Sequence, residues 1–220
     1  EDQPAVESSL NKAVSAAEQD KLVTFGIVAD KPEIGYGYIK SKKSLDMAGL
    51  GVLQVDKFVE KPNLETATHY IESGDFYWNS GMFVFKASAY LAALEETNPD
   101  IIKCCNESLA KAQNDLDFVR IDKASFELCP DDSIDYAVME RANNVVMVPM
   151  DAGWNDVGSY AALWEVSEKD EDNNVFKGDV IAKDTTNSLV ISEQRLVSTL
   201  NVSDLVIVDT PDAVLVADKN

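Results

Sequence analysis

Histidine is nearly absent from this sequence: His69 is the only one in 220 residues. The three cysteines, Cys104, Cys105 and Cys129, have no Cys-x-x-Cys spacing. Together these scarcities remove the usual ligands of a zinc site and the base of a Ser/His or Cys/His nucleophile pair. The odd, partly adjacent cysteines make no even disulfide framework and read as reduced thiols. Metal chemistry, if any, must rest on carboxylates. Positive charge is scarce too, with 19 Lys+Arg against 39 Asp+Glu and a formal charge of −20. Such a field repels phosphate backbones and anionic lipid surfaces, so neither nucleic acid nor a membrane is expected as a partner. A phosphate must then be held locally, by amides, a few placed cations or a metal. No apolar run approaches the roughly 20 residues that span a bilayer, and Glu1 to Pro4 do not resemble a signal peptide. The expected location is the cytoplasm.

What is present is enough apolar material, 45% of the chain, to bury a sizeable core. Residues 7–20 space Leu10, Ala13, Val14 and Ala17 on one helical face. Short apolar or β-branched runs at 21–30, 36–41, 82–85 and 145–149 read as strands, as does 52–59, where apolar and polar residues alternate. Helices are expected from Asn63 or Thr66 to the Ser73-Gly74 stop, over 87–96, from Pro99 with Asn98 as cap, over 133–141 and over 158–169. This alternation implies an α/β layer architecture for residues 1–174. The polar run 169–174 marks a boundary. Beyond it, 175–220 changes to short β-branched runs separated by Asp, Asn, Thr and Pro, an all-β appendage. No convincing internal repeat is visible.

Several short segments carry chemistry. Gly35-Tyr36-Gly37 lies between two strands, where glycines let a ligand approach main-chain amides, although a hairpin turn needing positive φ explains it equally well. Glu60-Lys61-Pro62 sets a carboxylate beside an ammonium at a strand end. Glutamate accepts hydrogen bonds from vicinal hydroxyls while lysine neutralises a phosphate, a pairing suited to a hexose phosphate. Asn79, in Trp78-Asn79-Ser80-Gly81, could offer its amide from a tight turn or simply close an Asx turn. Asp135 opens a helix, where a carboxylate favours the positive end of the dipole in any case. Asp156, in Trp154-Asn155-Asp156-Val157-Gly158, is either a hard-oxygen ligand for magnesium or a helix N-cap. His69 rides a helix surface.

Taken in order, Thr24-Phe25-Gly26-Ile27, Gly35-Tyr36-Gly37-Tyr38-Ile39, Phe58-Val59-Glu60-Lys61-Pro62, Trp78-Asn79-Ser80-Gly81-Met82-Phe83, Ser133-Ile134-Asp135-Tyr136-Ala137-Val138-Met139-Glu140 and Trp154-Asn155-Asp156-Val157-Gly158 resemble the bacterial mannose-1-phosphate guanylyltransferase (GDP-mannose pyrophosphorylase) family. The tail from Gly178 to Leu215 resembles the β segment that follows that family's catalytic domain. The resemblance implies a Rossmann-like nucleotidyltransferase fold. It also implies the magnesium-dependent reaction of GTP with α-mannose 1-phosphate to give GDP-mannose and pyrophosphate, for surface polysaccharide synthesis. It assigns Gly35, Tyr36, Gly37, Glu60, Lys61, Asn79 and Asp135 to the sugar-phosphate side, makes Lys61 and Asp156 catalytic, and makes Asp156 a metal ligand. The nucleophile is already an anionic phosphate oxygen, so no histidine base is required.

The family's Gly-rich, Arg-containing phosphate loop does not occur in this sequence, nor does its cupin-like isomerase domain. The chain therefore reads as an N-terminally truncated catalytic domain with unpaired sheet edges, expected to be inactive alone and to form homo-oligomers. Ile34 stands where the family usually has threonine, and Asn201 where glycine is common. The rival readings are a nucleotidyltransferase for another hexose 1-phosphate and a non-catalytic sugar-phosphate-binding module.

Overall fold

The computed structural model describes residues 2–46 and 51–219, the side chains of 43–46 excepted. These residues divide into two units, 1–154 and 155–220.

In the first unit, α1 (Gln3–Ala17) is capped by Asp2, whose carboxylate accepts from the Ala5 amide at 3.1 Å. The helical period read from the sequence holds, but its phase does not. Ser9, Ala13, Ala16 and Ala17 face the sheet, while Leu10 and Val14 are exposed. Small side chains let the helix axis come close to the strands, and this decides the face against the bulkier residues.

The sheet consists of β1 (Leu22–Val28), β2 (Tyr38–Asp46), β3 (Leu53–Val59), β4 (Phe76–Val84) and β7 (Val145–Met150). Its strand order is β1-β4-β2-β3-β7, and it closes on itself. Only the β1–β7 pair is parallel (Val23↔Val146), the other four pairings being antiparallel. The last link is short, Leu53↔Met147 and Gln54↔Val146. This closure corrects the expectation of unpaired edges: among the described residues, every strand of this sheet has two neighbours. Inside and around it lie two apolar clusters, one built on Val23, Phe25, Tyr38, Trp78 and Val148, the other on Leu22, Ile39, Val138 and Met147.

Between the strands, α2 (Leu64–Ser73) is capped by Asn63 and ended by Gly74 at φ +64°, as its sequence signals predict, and His69 is exposed on it. Next come α3 (Ala87–Thr97) and α4 (Pro99–Ala110). Asn98 makes no side-chain cap bond to α4, contrary to expectation, because its backbone (φ −151°, ψ 72°) instead joins the end of α3 to the start of α4. A small hairpin, β5 (Gln113–Asp115) and β6 (Phe118–Arg120), leads to α5 (Lys123–Phe126). The helix expected over 133–141 is a single π-helical turn, Asp135–Met139, with Glu140 N–H donating to Asp135 O at 2.9 Å.

The second unit opens with α6 (Tyr160–Val166), capped by Ser159. Six strands follow: β8 (Val175–Lys177), β9 (Val180–Thr186), β10 (Leu189–Ser192), β11 (Val197–Ser203), β12 (Leu205–Asp209) and β13 (Val214–Asp218). The strands β8, β10 and β12 stack in parallel, as do β9 and β11, whereas β13 runs antiparallel to β12. A repeat hidden in the sequence becomes visible here. Asn173, Asn187 and Asp204 each stand two residues before the mutually registered Val175, Leu189 and Val206, and all three have positive φ. Asp184 and Asn201 form a second such stack. Asn and Asp tolerate the left-handed turn that every corner demands. One residue further on, Asn174 Oδ1 accepts from Ser188 N at 3.1 Å and Ser188 Oγ from Leu205 N at 3.1 Å, tying each coil to the next.

Candidate functional site

The site lies in the first unit, where the start of β2, the end of β3, the interior of β4 and the π turn meet. Tyr38, fully buried, accepts from Trp78 Nε1 at 3.2 Å and donates to Glu33 O at 2.9 Å, pinning the loop that carries Gly35 to Gly37. Neither Gly35 nor Gly37 has positive φ, so the hairpin explanation of this pair fails. Gly37 answers to proximity instead. A Cβ there would lie 2.4 Å from Glu60 Oε2 and 3.2 Å from Asn79 Cβ, and its carbonyl accepts from Asn79 N at 2.7 Å. Around Gly35 the space is open. The Tyr36 ring packs edge-on against Trp78 at 5.3 Å and Trp154 at 5.9 Å, so its side chain belongs to an aromatic cluster.

Asn79 is not in a tight turn but inside β4. Between the pairs Thr24↔Phe83 and Gly26↔Asn79, the three residues Ser80, Gly81 and Met82 stand opposite Phe25 alone. This wide bulge, with Gly81 at φ +70°, turns the strand and aims the Asn79 side chain. Its Oδ1 accepts from Gly81 N at 3.2 Å, an Asx-type contact, and from the buried Thr24 Oγ1 at 3.2 Å. Its Nδ2 donates to Asp135 Oδ1 at 3.1 Å.

Glu60 and Lys61 follow β3. The Glu60 side chain is 17% exposed and the Lys61 side chain 65%, with Nζ 3.6 Å from Oε1. An ion pair this open to water contributes about 0–1 kcal/mol, so it leaves the ammonium available to an anion. Lys61 itself has φ +45° directly before Pro62, a left-handed conformation rare for a side-chain-bearing residue.

The electrostatics are those of crowded carboxylates. Burial pushes the Glu60 carboxyl above its usual range and the Asp135 charge adds to this, with Lys61 opposing. Burial also raises Asp135, against the Asn79 hydrogen bond and Lys61. Glu140 feels the same field: partial desolvation raises its carboxyl, then the charge of Glu60 adds. Thus Gly37, Glu60, Lys61, Asn79 and Asp135 are gathered, while Thr24 and Glu140 join them without having been singled out. Thr24 is hidden in an apolar run, and the i→i+5 winding that sets Glu140 over Asp135 has no sequence signature. Asp156 belongs to the second unit, exposed on the stretch before α6. It does not cap α6, since Ser159 does so, with Oγ accepting from Ala162 N at 3.1 Å. Among the described residues, no group of three or more His, Cys, Asp or Glu is placed to hold a metal ion.

A family profile described as nucleotidyl transferase matches residues 2–173. The chain belongs to the nucleotidyl transferase family. Enzymes of this family generally use a divalent metal. A second profile, the mannose-phosphate isomerase/GMP-like β-helix domain, matches residues 178–220 of this nucleotidyl transferase chain, in keeping with its stacked parallel coils. The chain is 50% identical over its full length to a mannose-1-phosphate guanylyltransferase of Escherichia coli, spanning 46% of that protein. It is 47% identical, again over its full length and 46% of the relative, to the alginate biosynthesis protein AlgA of Pseudomonas aeruginosa. A solved structure from Thermus thermophilus, described as a mannose-1-phosphate geranyltransferase, superposes with TM-score 0.80 at 32% identity, covering 99% of this chain and 62% of that one. The chain thus spans about half the length of the curated relatives it matches.

Proposed function

We propose that this chain is the sugar-phosphate-binding part of a mannose-1-phosphate guanylyltransferase, which joins α-mannose 1-phosphate to GTP and releases pyrophosphate to supply GDP-mannose for polysaccharide synthesis. The observation that carries this reading is the convergence of Gly37, Glu60, Lys61, Asn79 and Asp135 from four separate segments onto one site. The names of the two curated relatives support the choice of reaction. In this reading the exposed Lys61 ammonium neutralises the sugar phosphate, and Glu60 and Asp135 accept hydrogen bonds from ring hydroxyls. Backbone groups of Gly35 to Gly37 line the approach. A phosphate oxygen of the sugar forms the new bond to the α-phosphorus of GTP as the bond to pyrophosphate breaks, and Lys61 holds that phosphate in line.

The metal is read as magnesium. Asp156 is an exposed carboxylate, and the adjacent Asn155 carries a buried Oδ1 without a hydrogen-bond partner. Both are hard oxygen donors, which suits an ion bound through one or two carboxylates together with substrate phosphates. When bound it would neutralise phosphate charge. Residues 1–174 are read as the catalytic-domain portion and 175–220 as the β-rich appendage, supported by the profile limits at 173 and 178. A cytoplasmic location and homo-oligomerisation complete the proposal. The exposed Leu116, Phe118 and Val119 of the β5–β6 hairpin support association, and light scattering showing only monomer would count against it.

The test is calorimetric titration of the chain with mannose 1-phosphate and glucose 1-phosphate, beside magnesium-dependent pyrophosphate release from GTP by a chain extended to the relatives' length. Mannose preference in both, with binding weakened about tenfold or more by Lys61→Ala, supports the proposal. Preference for glucose 1-phosphate would shift the substrate to another hexose. Binding without turnover in the extended chain would point to a non-catalytic module.

A further inference from the structure

Thr24 lies in mid-β1, registered with Phe83 of β4 on one side and Met147 of β7 on the other, and is fully buried. Its backbone is thus held by two neighbours, and its branched side chain has few rotamers, so the hydroxyl starts from a rigid point. Facing it is the three-residue bulge of β4. Local bonds shape that bulge: Gly81 N donates to Asn79 Oδ1 and Met82 N to Ser80 Oγ, both at 3.2 Å. Both bonds are internal to β4. The Thr24 hydroxyl adds a bond across the strands, standing within donating distance of Asn79 Oδ1 (3.2 Å) at the entrance of the bulge and of Met82 O (3.3 Å) at its exit.

Gly81 N can only donate, so the Asn79 oxygen faces it and the Thr24 hydroxyl, and Nδ2 faces the other way. Nδ2 carries two hydrogens, of which the 3.1 Å bond to Asp135 uses one. Beside it lies the space where Gly37 has no side chain. A Cβ there would come 3.5 Å from Asn79 Nδ2 and closer still to Glu60 Oε2. A donor and an acceptor thus flank one spot, which suits a hydroxyl that gives its proton to the carboxylate and takes one from the amide. We propose that, given the hexose-phosphate reading of this site, Thr24 is a positioning residue, its buried hydroxyl holding the Asn79 amide where Nδ2 meets a ring hydroxyl of the bound sugar phosphate. Thr24 itself touches no substrate. Without its hydroxyl, Asn79 Oδ1 keeps Gly81 N as a donor, but Gly81 moves with the bulge, so the amide is no longer tied to β1.

The experiment compares the parent chain with Thr24→Val, which keeps the branched shape without the hydroxyl, and Thr24→Ser, which keeps the hydroxyl and loses a buried methyl. Mannose 1-phosphate binding is measured by titration calorimetry well below the melting temperature of each protein. The Asn79 side-chain amide is followed in heteronuclear NMR spectra, assigned by its disappearance in Asn79→Ala. Thr24→Val should weaken binding about threefold to tenfold, as expected for one hydrogen bond, and should shift or broaden the Asn79 amide pair. Thr24→Ser should melt lower than the parent, having lost core packing, yet bind within about twofold of it and leave the Asn79 pair in place. A merely structural role would instead make binding follow melting temperature, so that serine loses it too. Equal loss of binding in the two variants, parent-like binding by Thr24→Val, or an Asn79 pair unmoved by valine would each overturn the proposal. A parent chain that binds neither mannose 1-phosphate nor glucose 1-phosphate would overturn the functional reading and the substrate role of Thr24 with it. The spectra need no ligand, so they decide the link from Thr24 to Asn79 separately.

Discussion

Asn79 and Asp135, 56 residues apart in the chain, are joined by a 3.1 Å hydrogen bond from Nδ2 to Oδ1. The same amide accepts from Thr24 Oγ1 and Gly81 N through its other end, so one side chain ties the β4 bulge, β1 and the π turn together. It also lowers Asp135, against the burial that raises it.

Replacing Asn79 with alanine should therefore cost about 1–3 kcal/mol, because a half-buried carboxylate and a buried hydroxyl each lose a partner. Asn79→Asp should be worse than alanine, since it sets a second carboxylate against Asp135. Thermal denaturation followed by circular dichroism orders the three proteins, and an aspartate variant as stable as the parent would refute the assignment.

Gly37 and Gly35 should behave oppositely when changed to alanine. At Gly37 the new methyl would press on Glu60 and Asn79, costing about 1–3 kcal/mol and weakening sugar-phosphate binding. At Gly35 it meets nothing within 4 Å and the backbone is not left-handed, so stability should change by no more than about 0.5 kcal/mol. Titration calorimetry and melting curves on both variants check the contrast.

Glu60→Gln should stabilise the protein while impairing the site. Folding raises the Glu60 carboxyl, chiefly by burial and then by Asp135, so the folded state holds that proton more tightly than the unfolded chain. Its contribution to stability is therefore full below the ordinary glutamate range and is lost as pH rises through the folded-state value. At about pH 7.5 the glutamine variant should melt higher than the parent, and at about pH 5.5 the gain should shrink. A gain of equal size at both values would exclude the electrostatic cause.

How far the fold and the site can be read from sequence depends on the range of the interaction responsible. Local signals set both ends of α2, through Asn63 and Gly74, and mark β1 and β7 through their apolar runs and β3 through its alternation. The buried face of α1 departs from the sequence pattern because burial is decided by how close the helix can approach the sheet, which favours Ala13, Ala16 and Ala17 over Leu10. Asn79 draws notice in the sequence for its amide, but its place within a strand is not legible, since a bulge depends on the partner strand and leaves no mark on its own residues. The short strands β8 and β11 escape local pattern: neither is more than seven residues long, and their stability comes from stacking on other coils. Closure of the sheet through β3 and β7 rests on two residue pairs 94 and 92 positions apart, beyond any local signal.

Asn201 offers a test in the second unit. It stands in the left-handed region at φ +53°, which explains why glycine is readily accommodated there. Asn201→Gly should be neutral to within about 0.5 kcal/mol, whereas Asn201→Val should cost about 1–2 kcal/mol. Urea denaturation distinguishes them, and equal midpoints would remove the corner argument.

The left-handed backbone of Lys61 has a thermodynamic corollary. A free peptide with this lysine before proline would spend little time in that conformation, and reaching it costs of order 1–2 kcal/mol. In the folded chain that cost is already met by the packing of β3 and the buried Pro62 on either side. If Lys61 binds an anion as proposed, none of the binding energy would go into ordering the main chain at this residue.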